Sequence, residues 1–217
     1  MPMQILLGTT NPSKAKYFAQ LLVGADVELI TLADLGIAQE PEECGKTPEE
    51  NAKIKAKFYG QYAPYVICAD SGLYFDDLAM EDPRQPGLNV RTPGGCARLD
   101  DEGMIAYYTA LSREMGGKAL AYYVDGCAVQ AGDAVHGFQA TREEAMSWAF
   151  YMRDEVSRWR REGWPLDTIS QDLDGYWFLD PQRPKFPQEK SSYLPRLRCF
   201  LLEKFGLSTE KEESVDK

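Results

Sequence analysis

Short apolar runs alternate with amphipathic, charged segments along the first ninety residues of the chain. Met3–Gly8 and Val27–Thr31 each predict a strand. Between them, Pro12–Val23 has apolar side chains on one helical face and begins with a proline, which favours the first turn of a helix. A third, short strand is predicted at Tyr65–Cys68. Strands alternating with helices indicate an α/β domain.

The helix that precedes the third strand has a clear predicted start. Thr47 fits the N-cap, Pro48 the first helical position and Glu50 the third, which together form the capping-box pattern. Because capping explains Glu50 completely, this carboxylate is not proposed as a metal ligand. Asn51 and Lys55 are spaced i, i+4 and therefore project from one face of the helix.

The second half of the chain predicts three further elements. Asp101–Met115 is predicted to be helical, and Ala119–Ala131 to be a β-hairpin with Asp125 and Gly126 as its two-residue turn. Thr141–Gly163 predicts a long charged helix that begins with a capping box.

A last helix is predicted from Ser192 to Phe205, closed by Gly206. The polar segment 208–217 predicts a disordered tail, so a single domain is expected over residues 1–207.

Composition limits the functional classes. The net charge of −10 argues against a polymeric nucleic acid, whose binding needs many lysines and arginines, but a small polyphosphate bound with Mg²⁺ is compatible with it. The five cysteines are odd in number and lack CxxC spacing, which argues against a disulfide scaffold or a zinc site.

No apolar run approaches the roughly 20 residues that span a bilayer. With no signal-peptide pattern at the N-terminus, we expect no membrane association and a cytoplasmic location.

Three short strings carry the candidate chemistry: TTNPSK (Thr9–Lys14), ENAKIKA (Glu50–Ala56) and ADSGL (Ala69–Leu73). Their amides and lysines suit phosphate groups, and their carboxylates suit a metal ion. TTNPSK follows the first strand, where the free N–H groups of a helix N-terminus would face an anion. The alternative for this string is an ordinary helix cap by Asn11 with Lys14 in solvent.

Asp70 is the strongest single candidate. It is predicted at the carboxyl end of a strand, in an Asp70-Ser71-Gly72 turn, and ligands bind at such ends in open α/β sheets. There Asp70 would bind a metal ion or activate water, and Ser71 would donate to a phosphate. An ordinary Asp-Ser-Gly turn is the alternative.

Taken in order, TTNPSK, EECGKTPEENAKIKA, ADSGL and the Pro-Gly pair before Arg91 resemble the inosine triphosphate pyrophosphatase family, whose members act on non-canonical purine nucleoside triphosphates. The resemblance covers Met3 to about Arg91. It implies an elongated α/β fold with a central mixed sheet flanked by helices and two lobes separated by a cleft. It also implies a homodimer and Mg²⁺ as cofactor.

The resemblance also implies roles for individual residues. Glu43 and Asp70 would hold Mg²⁺, although Glu42 beside Glu43 is not separated from it. Asp70, Lys14 and Lys55 would be catalytic. The residues implied to contact the triphosphate are Thr9, Thr10, Asn11, Lys14, Asn51, Lys55 and Ser71.

A weaker likeness extends into the second half. GWPLDTI (Gly163–Ile169) is similar to the family string G-F-G-Y-D-P-I-F, which implies that Trp164 stacks on the base and that Asp167 lines its pocket. Lys190 and Arg196 match a lysine and an arginine of the family pattern and would contact phosphate or base. A tryptophan buried in a core and a basic helix start are the alternatives.

Three departures distinguish the chain from the family pattern. Ala69 stands where D-D-S-G-L has its first aspartate, and Pro195 stands where the family has a histidine. The long helix predicted at Thr141–Glu162 stands in place of a shorter glycine-rich connection. The phosphate half of the pattern is therefore retained and the base half altered.

The predicted activity is hydrolysis of a nucleoside triphosphate to the monophosphate and pyrophosphate, with a water positioned by Asp70 attacking the α-phosphorus. Two alternatives stay open. One is a catalytically weak protein of the same fold that binds or senses nucleotides. The other is a phosphatase that acts on a different phosphate substrate.

Overall fold

The computed structural model describes residues 1–161, 163–184 and 192–208. Within them a seven-stranded mixed sheet has the order β2-β1-β3-β4-β6-β7, and β5 pairs with β4. The strands are β1 (Met3–Leu7), β2 (Val27–Thr31), β3 (Tyr65–Phe75), β4 (Lys118–Ala131), β5 (Ala134–Gln139), β6 (Phe150–Arg153) and β7 (Ser170–Gln171). The α-helices are α1 (Pro12–Leu21), α2 (Pro48–Tyr59), α3 (Asp101–Glu114), α4 (Arg142–Met146) and α5 (Tyr193–Phe205), and 3₁₀ helices cover Pro93–Gly95 and Pro165–Ile169. The predicted mixed sheet flanked by helices is confirmed.

The chain divides into two compact units. Unit 1 consists of Met1–Asp70, Asp125–Ala140 and Ser191–Lys217. Unit 2 consists of Ser71–Val124 and Thr141–Lys190. The predicted cleft between two lobes and the single-domain organisation stay predictions.

Unit 1 is built on parallel pairing of β1 with β2 and β3, and on an antiparallel β4–β5 hairpin. Alternate strand residues pack on opposite faces of this sheet. On one face, which we call the α1 face, Ile67 and Cys127 pack with Phe18 of α1. On the other, the α2 face, Cys68 packs with Ala52 of α2. The two faces determine where each polar side chain near the strand ends points.

Unit 2 pairs the first part of β4 with β6, and β6 with β7, in antiparallel register. Its core contains the fully buried side chains of Phe75, Tyr108, Met152 and Ile169, so α3 and the second 3₁₀ helix cover this part of the sheet.

The predicted hairpin at Ala119–Ala131 is wrong. These residues form the continuous 14-residue strand β4, and the chain reverses after it, at Gly132 and Asp133, before β5. Gly126 is required for packing rather than for a turn, because a side chain there would collide with the backbone of Pro48 and Glu49 at the start of α2.

The long helix predicted at Thr141–Gly163 is also wrong. The predicted capping box of Thr141 and Glu144 is present, but α4 ends at Met146. The chain then enters β6, in which Phe150 and Met152 are buried while Tyr151 between them is partly exposed. This period-two pattern was hidden in a charged segment.

Two local predictions need correction. Asp70 does not end a strand: β3 continues through Asp70 and Ser71 because Leu73 and Phe75 beyond them are fully buried. The cap of α2 is also only half the predicted box. Thr47 accepts from the backbone N–H of Glu50, but the Glu50 carboxylate accepts from the N–H of Lys46 at 2.6 Å.

The C-terminal helix agrees with its prediction and ends at Gly206, whose φ of +65° is the left-handed conformation that favours glycine. Of the predicted tail 208–217, only Ser208 lies within the described residues. No helix in the described ranges is both long and apolar enough to cross a bilayer.

The close fit of Gly126 generates a stability prediction. Gly126→Ala should lower the free energy of unfolding by about 1–3 kcal/mol, because the added methyl group forces β4 and the start of α2 apart. Chemical denaturation measures the change. Gly103→Ala in α3 is the matched control, since its nearest new neighbour is a side-chain oxygen of Asp100 and alanine favours helix. Equal stability of Gly126→Ala and the unaltered protein would contradict this packing role.

Candidate functional site

The loop between β1 and α1 lies beside β3. The N–H of Gly8 donates to the carbonyl of Ile67 at 2.8 Å, which continues the parallel β1–β3 pairing beyond the end of β1. Asn11 caps α1, its side-chain oxygen accepting from the N–H of Ser13 at 2.9 Å, and Thr9 accepts from the N–H of Asn11 at 3.1 Å. Thr10 is exposed. The cap predicted as an alternative for Asn11 is therefore present.

Lys14 is not a solvated lysine. Its side chain is directed at β3, where the ammonium donates to the carbonyl of Ala69 at 3.3 Å. Burial lowers the pKa of Lys14, and the positive charge of Lys55 lowers it further, although three nearby carboxylates oppose both effects. Those carboxylates belong to Asp70, Asp125 and Glu43.

Lys55 holds two carboxylates together. Its ammonium lies 3.0 Å from the carboxylate of Glu43 and 3.2 Å from that of Asp70. Burial alone would lower the pKa of Lys55, but the charges of Asp70 and Glu43 outweigh burial and raise it above the usual value. The Asp70 side chain is 16% exposed and that of Glu43 40%, so the pair is reachable from solvent on the Glu43 side.

Asn51 connects the loop that carries Glu43 to the strand that carries Asp70. The side chain is buried; its oxygen accepts from the N–H of Gly45 at 2.8 Å, and its amide nitrogen donates to Asp70 at 2.9 Å. Both ends of the Asn51 amide are therefore used to fix Asp70 and the loop. Direct substrate contact by Asn51, as predicted from the resemblance, stays a prediction.

The same geometry separates Glu43 from its neighbour. Glu43 is the residue whose carboxylate lies on Lys55, whereas Glu42 is exposed on the same loop. In the described part of the chain, no group of three or more histidine, cysteine or acidic side chains could by itself hold a metal ion. Two convergent carboxylates nevertheless fit Mg²⁺, which is usually held by one or two carboxylates together with phosphate oxygens of a substrate.

Unit 2 brings Trp164 and Asp167 together through Arg161, a residue that the sequence did not single out. The guanidinium of Arg161 lies 5.1 Å from the centre of the Trp164 ring and 3.3 Å from the Asp167 carboxylate. Burial raises the pKa of Asp167, against the opposing charge of Arg161. Ser71 lies within β3 and is partly buried.

The two basic candidates near the C-terminus are placed differently. Arg196 is exposed on α5, and its guanidinium lies 5.0 Å from the centre of the Phe138 ring in β5. Lys190 lies outside the described residues. Their predicted phosphate or base contacts stay predictions.

The lowered pKa of Lys14 indicates that burying its positive charge lowers the free energy of unfolding of the protein. Lys14→Met should raise the free energy of unfolding by about 0.5–2 kcal/mol at neutral pH, because the unaltered protein must bury a charge there. As the pH rises through the lowered folded-state pKa towards 10.5, the ordinary value, the unaltered protein no longer bears this cost and the difference should shrink.

Denaturation of both proteins over this pH range measures the effect. Lys16→Met is the control, because Lys16 is exposed on the same helix and its loss should give no such pH-dependent difference. A Lys14→Met protein less stable than the unaltered one at neutral pH would contradict the desolvation argument.

Comparison with known proteins gives partial sequence matches and near-complete structural ones. The chain is 38% identical over 101 residues to a dITP/XTP pyrophosphatase of Thermoanaerobacter pseudethanolicus, covering 46% of this chain and 49% of that protein. It is also 38% identical over 103 residues to a dITP/XTP pyrophosphatase of Bacillus subtilis, covering 47% and 50%. The chain thus spans about half the length of the curated relatives it matches.

Solved structures share the fold across nearly the whole chain. The Ham1 protein of Staphylococcus aureus superposes with a TM-score of 0.65 at 21% identity, covering 93% of this chain and 99% of that one. A HAM1 protein of Coxiella burnetii gives the same values.

A sequence model of the Ham1 family matches residues 5–142, a range that includes Lys14, Glu43, Lys55 and Asp70. The family resemblance of the motifs is thus confirmed: this chain belongs to the Ham1 family.

Proposed function

We propose that this protein hydrolyses a non-canonical purine nucleoside triphosphate to the nucleoside monophosphate and pyrophosphate, with Mg²⁺ as cofactor. The observation that carries the proposal is the convergence of Lys55 with the carboxylates of Glu43 and Asp70, next to Lys14. These four residues lie in the segment matched by the Ham1 family. The names of the relatives, dITP/XTP pyrophosphatases, support purine nucleotides with altered bases as the substrate class.

The phosphate chain would bind between the start of α1 and α2. The first turn of α1 offers backbone N–H groups and the positive end of the helix dipole, and Lys14 adds a full charge. The low pKa of Lys14 reflects the cost of burying that charge without a directly bonded carboxylate in the described contacts. A phosphate oxygen beside Lys14 would offset that cost and so add to the free energy of substrate binding.

Glu43 and Asp70 would hold Mg²⁺, with the substrate's phosphate oxygens completing its coordination. When bound, Mg²⁺ would offset negative charge on those oxygens. In the structure Lys55 neutralises the same two carboxylates, so they can lie close together before any metal ion binds. Lys55, which lies between the two carboxylates, would also be placed to contact the substrate's phosphates.

Asp70 would orient the attacking water. One of its oxygens is fixed by Asn51 at 2.9 Å and the other lies 3.2 Å from Lys55, so the orientation of the carboxylate is set from both sides. A water held by such a group is presented in one direction, and positioning of this kind accounts for much of the rate gain in phosphate chemistry. The water would attack the α-phosphorus and pyrophosphate would leave.

For the base, Trp164 and Asp167 of unit 2 stay the candidates. The stacking role of Trp164 stays a prediction from the resemblance; base–aromatic stacking contributes about 1–3 kcal/mol. Homodimerisation and a cytoplasmic location stay predictions from the sequence.

The proposed function predicts which product the protein releases and from which nucleotides. With Mg²⁺, the purified protein should release pyrophosphate, and no orthophosphate, from dITP and XTP, and should do so faster than from ATP or GTP. Separate colorimetric assays of the two products, each over a panel of nucleotides and other phosphate compounds, measure this. Tight nucleotide binding by calorimetry without turnover would instead support the binding-protein alternative. Orthophosphate release from another compound would support the phosphatase alternative.

The proposed metal site also predicts the effect of replacing the carboxylates of Glu43 and Asp70. Asp70→Asn and Glu43→Gln should each lower kcat/KM by about 100-fold or more, since each removes a charge from the proposed metal site. Glu42→Gln is the matched control, with the same change of charge one residue away on an exposed side chain, and it should retain near-normal kinetics. Unfolding curves check that all three variants are folded. Equal losses for Glu42→Gln and Glu43→Gln would overturn the assignment of Glu43.

A further inference from the structure

Two side chains of α2 hold the loop that carries Glu43. The Gly45 N–H donates to the side-chain oxygen of Asn51 at 2.8 Å, and the Glu43 carboxylate lies 3.0 Å from the Lys55 ammonium. Asn51 and Lys55 are about one helical turn apart and therefore lie on one face of α2. The loop is thus fastened to that face at two places, Glu43 and Gly45.

Gly45 makes the contact with Asn51 possible. A Cβ atom at Gly45 would lie 2.6 Å from the side-chain oxygen of Asn51 and 2.8 Å from its backbone nitrogen, which is too close for any side chain. The φ angle of Gly45 is not positive, so its backbone conformation alone would accept another residue. The glycine is therefore required by the close approach of the loop to α2.

Asn51 also contacts Asp70 in β3. Its side-chain nitrogen donates to one Asp70 oxygen at 2.9 Å, and the Lys55 ammonium lies 3.2 Å from the other. Asn51 is only 4% exposed, and a buried amide that loses a hydrogen-bond partner is costly. A shift of Asp70, or of the loop at Gly45, would therefore leave a buried polar group without its partner.

The two connections between the loop and β3 differ in charge. Asn51 and Lys55 each contact both the loop and Asp70, but Lys55 does so as a cation. Like charges a few ångströms apart repel, so a cation held by Glu43 and Asp70 would weaken the contacts of Lys55. The neutral amide of Asn51 would not be repelled in this way. Its bonds are therefore the ones compatible with both the empty and the occupied metal site.

We propose that Asn51 is a positioning residue for the Mg²⁺ site: its amide sets the separation of the Glu43 and Asp70 carboxylates, and Gly45 provides the fit that its oxygen requires. This inference rests on the proposed function, because it assigns the two carboxylates to Mg²⁺. Groups that hydrogen-bond to metal ligands without touching the metal typically change metal affinity by about 10- to 100-fold when they are removed. Asn51 would act in this way, in place of the substrate contact that the resemblance implies.

Binding of Mn²⁺ in the absence of nucleotide tests this inference without any reaction. Mn²⁺ prefers the same oxygen ligands as Mg²⁺, and electron paramagnetic resonance follows its binding. Asn51→Ala should raise the dissociation constant for Mn²⁺ by about 10-fold or more. Gln20→Ala, which removes an exposed amide from α1, is the matched control and should leave it unchanged. Asp70→Asn identifies the site, because it should remove the same binding event.

The outcomes separate the inference from the proposed function. Unchanged Mn²⁺ binding by Asn51→Ala, with binding lost in Asp70→Asn, overturns the inference and leaves the proposed metal site standing. If the unaltered protein shows no Mn²⁺ binding that depends on Asp70, the metal assignment fails and the inference fails with it. If Asn51→Ala weakens the binding but the unaltered protein releases no pyrophosphate, the proposed function fails and the role of Asn51 is supported.

Steady-state kinetics distinguish positioning from substrate contact. Asn51→Ala should raise the Mg²⁺ concentration that gives half-maximal pyrophosphate release from dITP by about 10-fold or more, and saturating Mg²⁺ should restore most of kcat. Gly45→Ala should act in the same direction, because the added methyl group forces the loop away from Asn51 while every polar side chain is kept. A higher KM for dITP at saturating Mg²⁺, with an unchanged Mg²⁺ requirement, would indicate substrate contact and overturn the inference.

Hydrogen exchange measured by NMR tests the hold on the loop directly. The Gly45 N–H should exchange about 3- to 10-fold faster in Asn51→Ala than in the unaltered protein, because it loses its acceptor. The Gly8 N–H, which donates to Ile67 in the sheet, is the internal control and should exchange at an unchanged rate. Equal exchange of the Gly45 N–H in the two proteins overturns the inference.

Gly45→Ala decides the question if Asn51→Ala proves generally unstable, which faster exchange of the Gly8 N–H as well would reveal. In Gly45→Ala the Asn51 side chain is intact and only its fit to the loop is changed. Weaker Mn²⁺ binding by a folded Gly45→Ala protein then supports the inference, and an unchanged dissociation constant for Mn²⁺ overturns it.

Discussion

The bridge formed by Lys55 is the interaction on which the candidate site depends. Two carboxylates from separate segments, Glu43 in a loop and Asp70 in β3, would repel each other without the ammonium between them. The convergence of the two carboxylates is therefore prepared in the protein by one of its own cations, and the buried Asn51 fixes Asp70 to the loop that carries Glu43.

The sheet gives the two lysines different chemistry. Lys55 lies on the α2 face with carboxylates in direct contact, and its pKa is raised. Lys14 reaches β3 from α1 with a carbonyl as its hydrogen-bond acceptor, and its pKa is lowered. One cation is thus stabilised by direct contact with carboxylates, and under the proposed function the other would be stabilised by the substrate. Such a division is expected where binding energy is reserved for a substrate rather than used for folding.

The local signals in the sequence predicted β1, α1, β2 and α2 well and the second half of the fold poorly. The cap at Asn11, the start of α2 and the i, i+4 spacing of Asn51 and Lys55 are set by neighbours in the chain, so they could be predicted. The unbroken course of β4 through Asp125 and Gly126 could not, because an Asp-Gly pair usually indicates a turn, and only the approach of α2 to Gly126 explains the glycine. Strand β6 was missed for a similar reason: its paired residues in β4 lie 29 (Ala121 to Phe150) to 35 (Lys118 to Arg153) positions earlier in the chain.

The hydrogen bonds of Asn51 have a kinetic consequence. The side chain joins Gly45, two residues after Glu43, to Asp70, so the loop cannot swing outward while that amide stays bonded. If the loop that carries Glu43 moves outward, Glu43 therefore separates from Asp70 at the same time. Movement of the loop away from β3 would therefore have to break the contact of Lys55 with Glu43 as well as a hydrogen bond of Asn51.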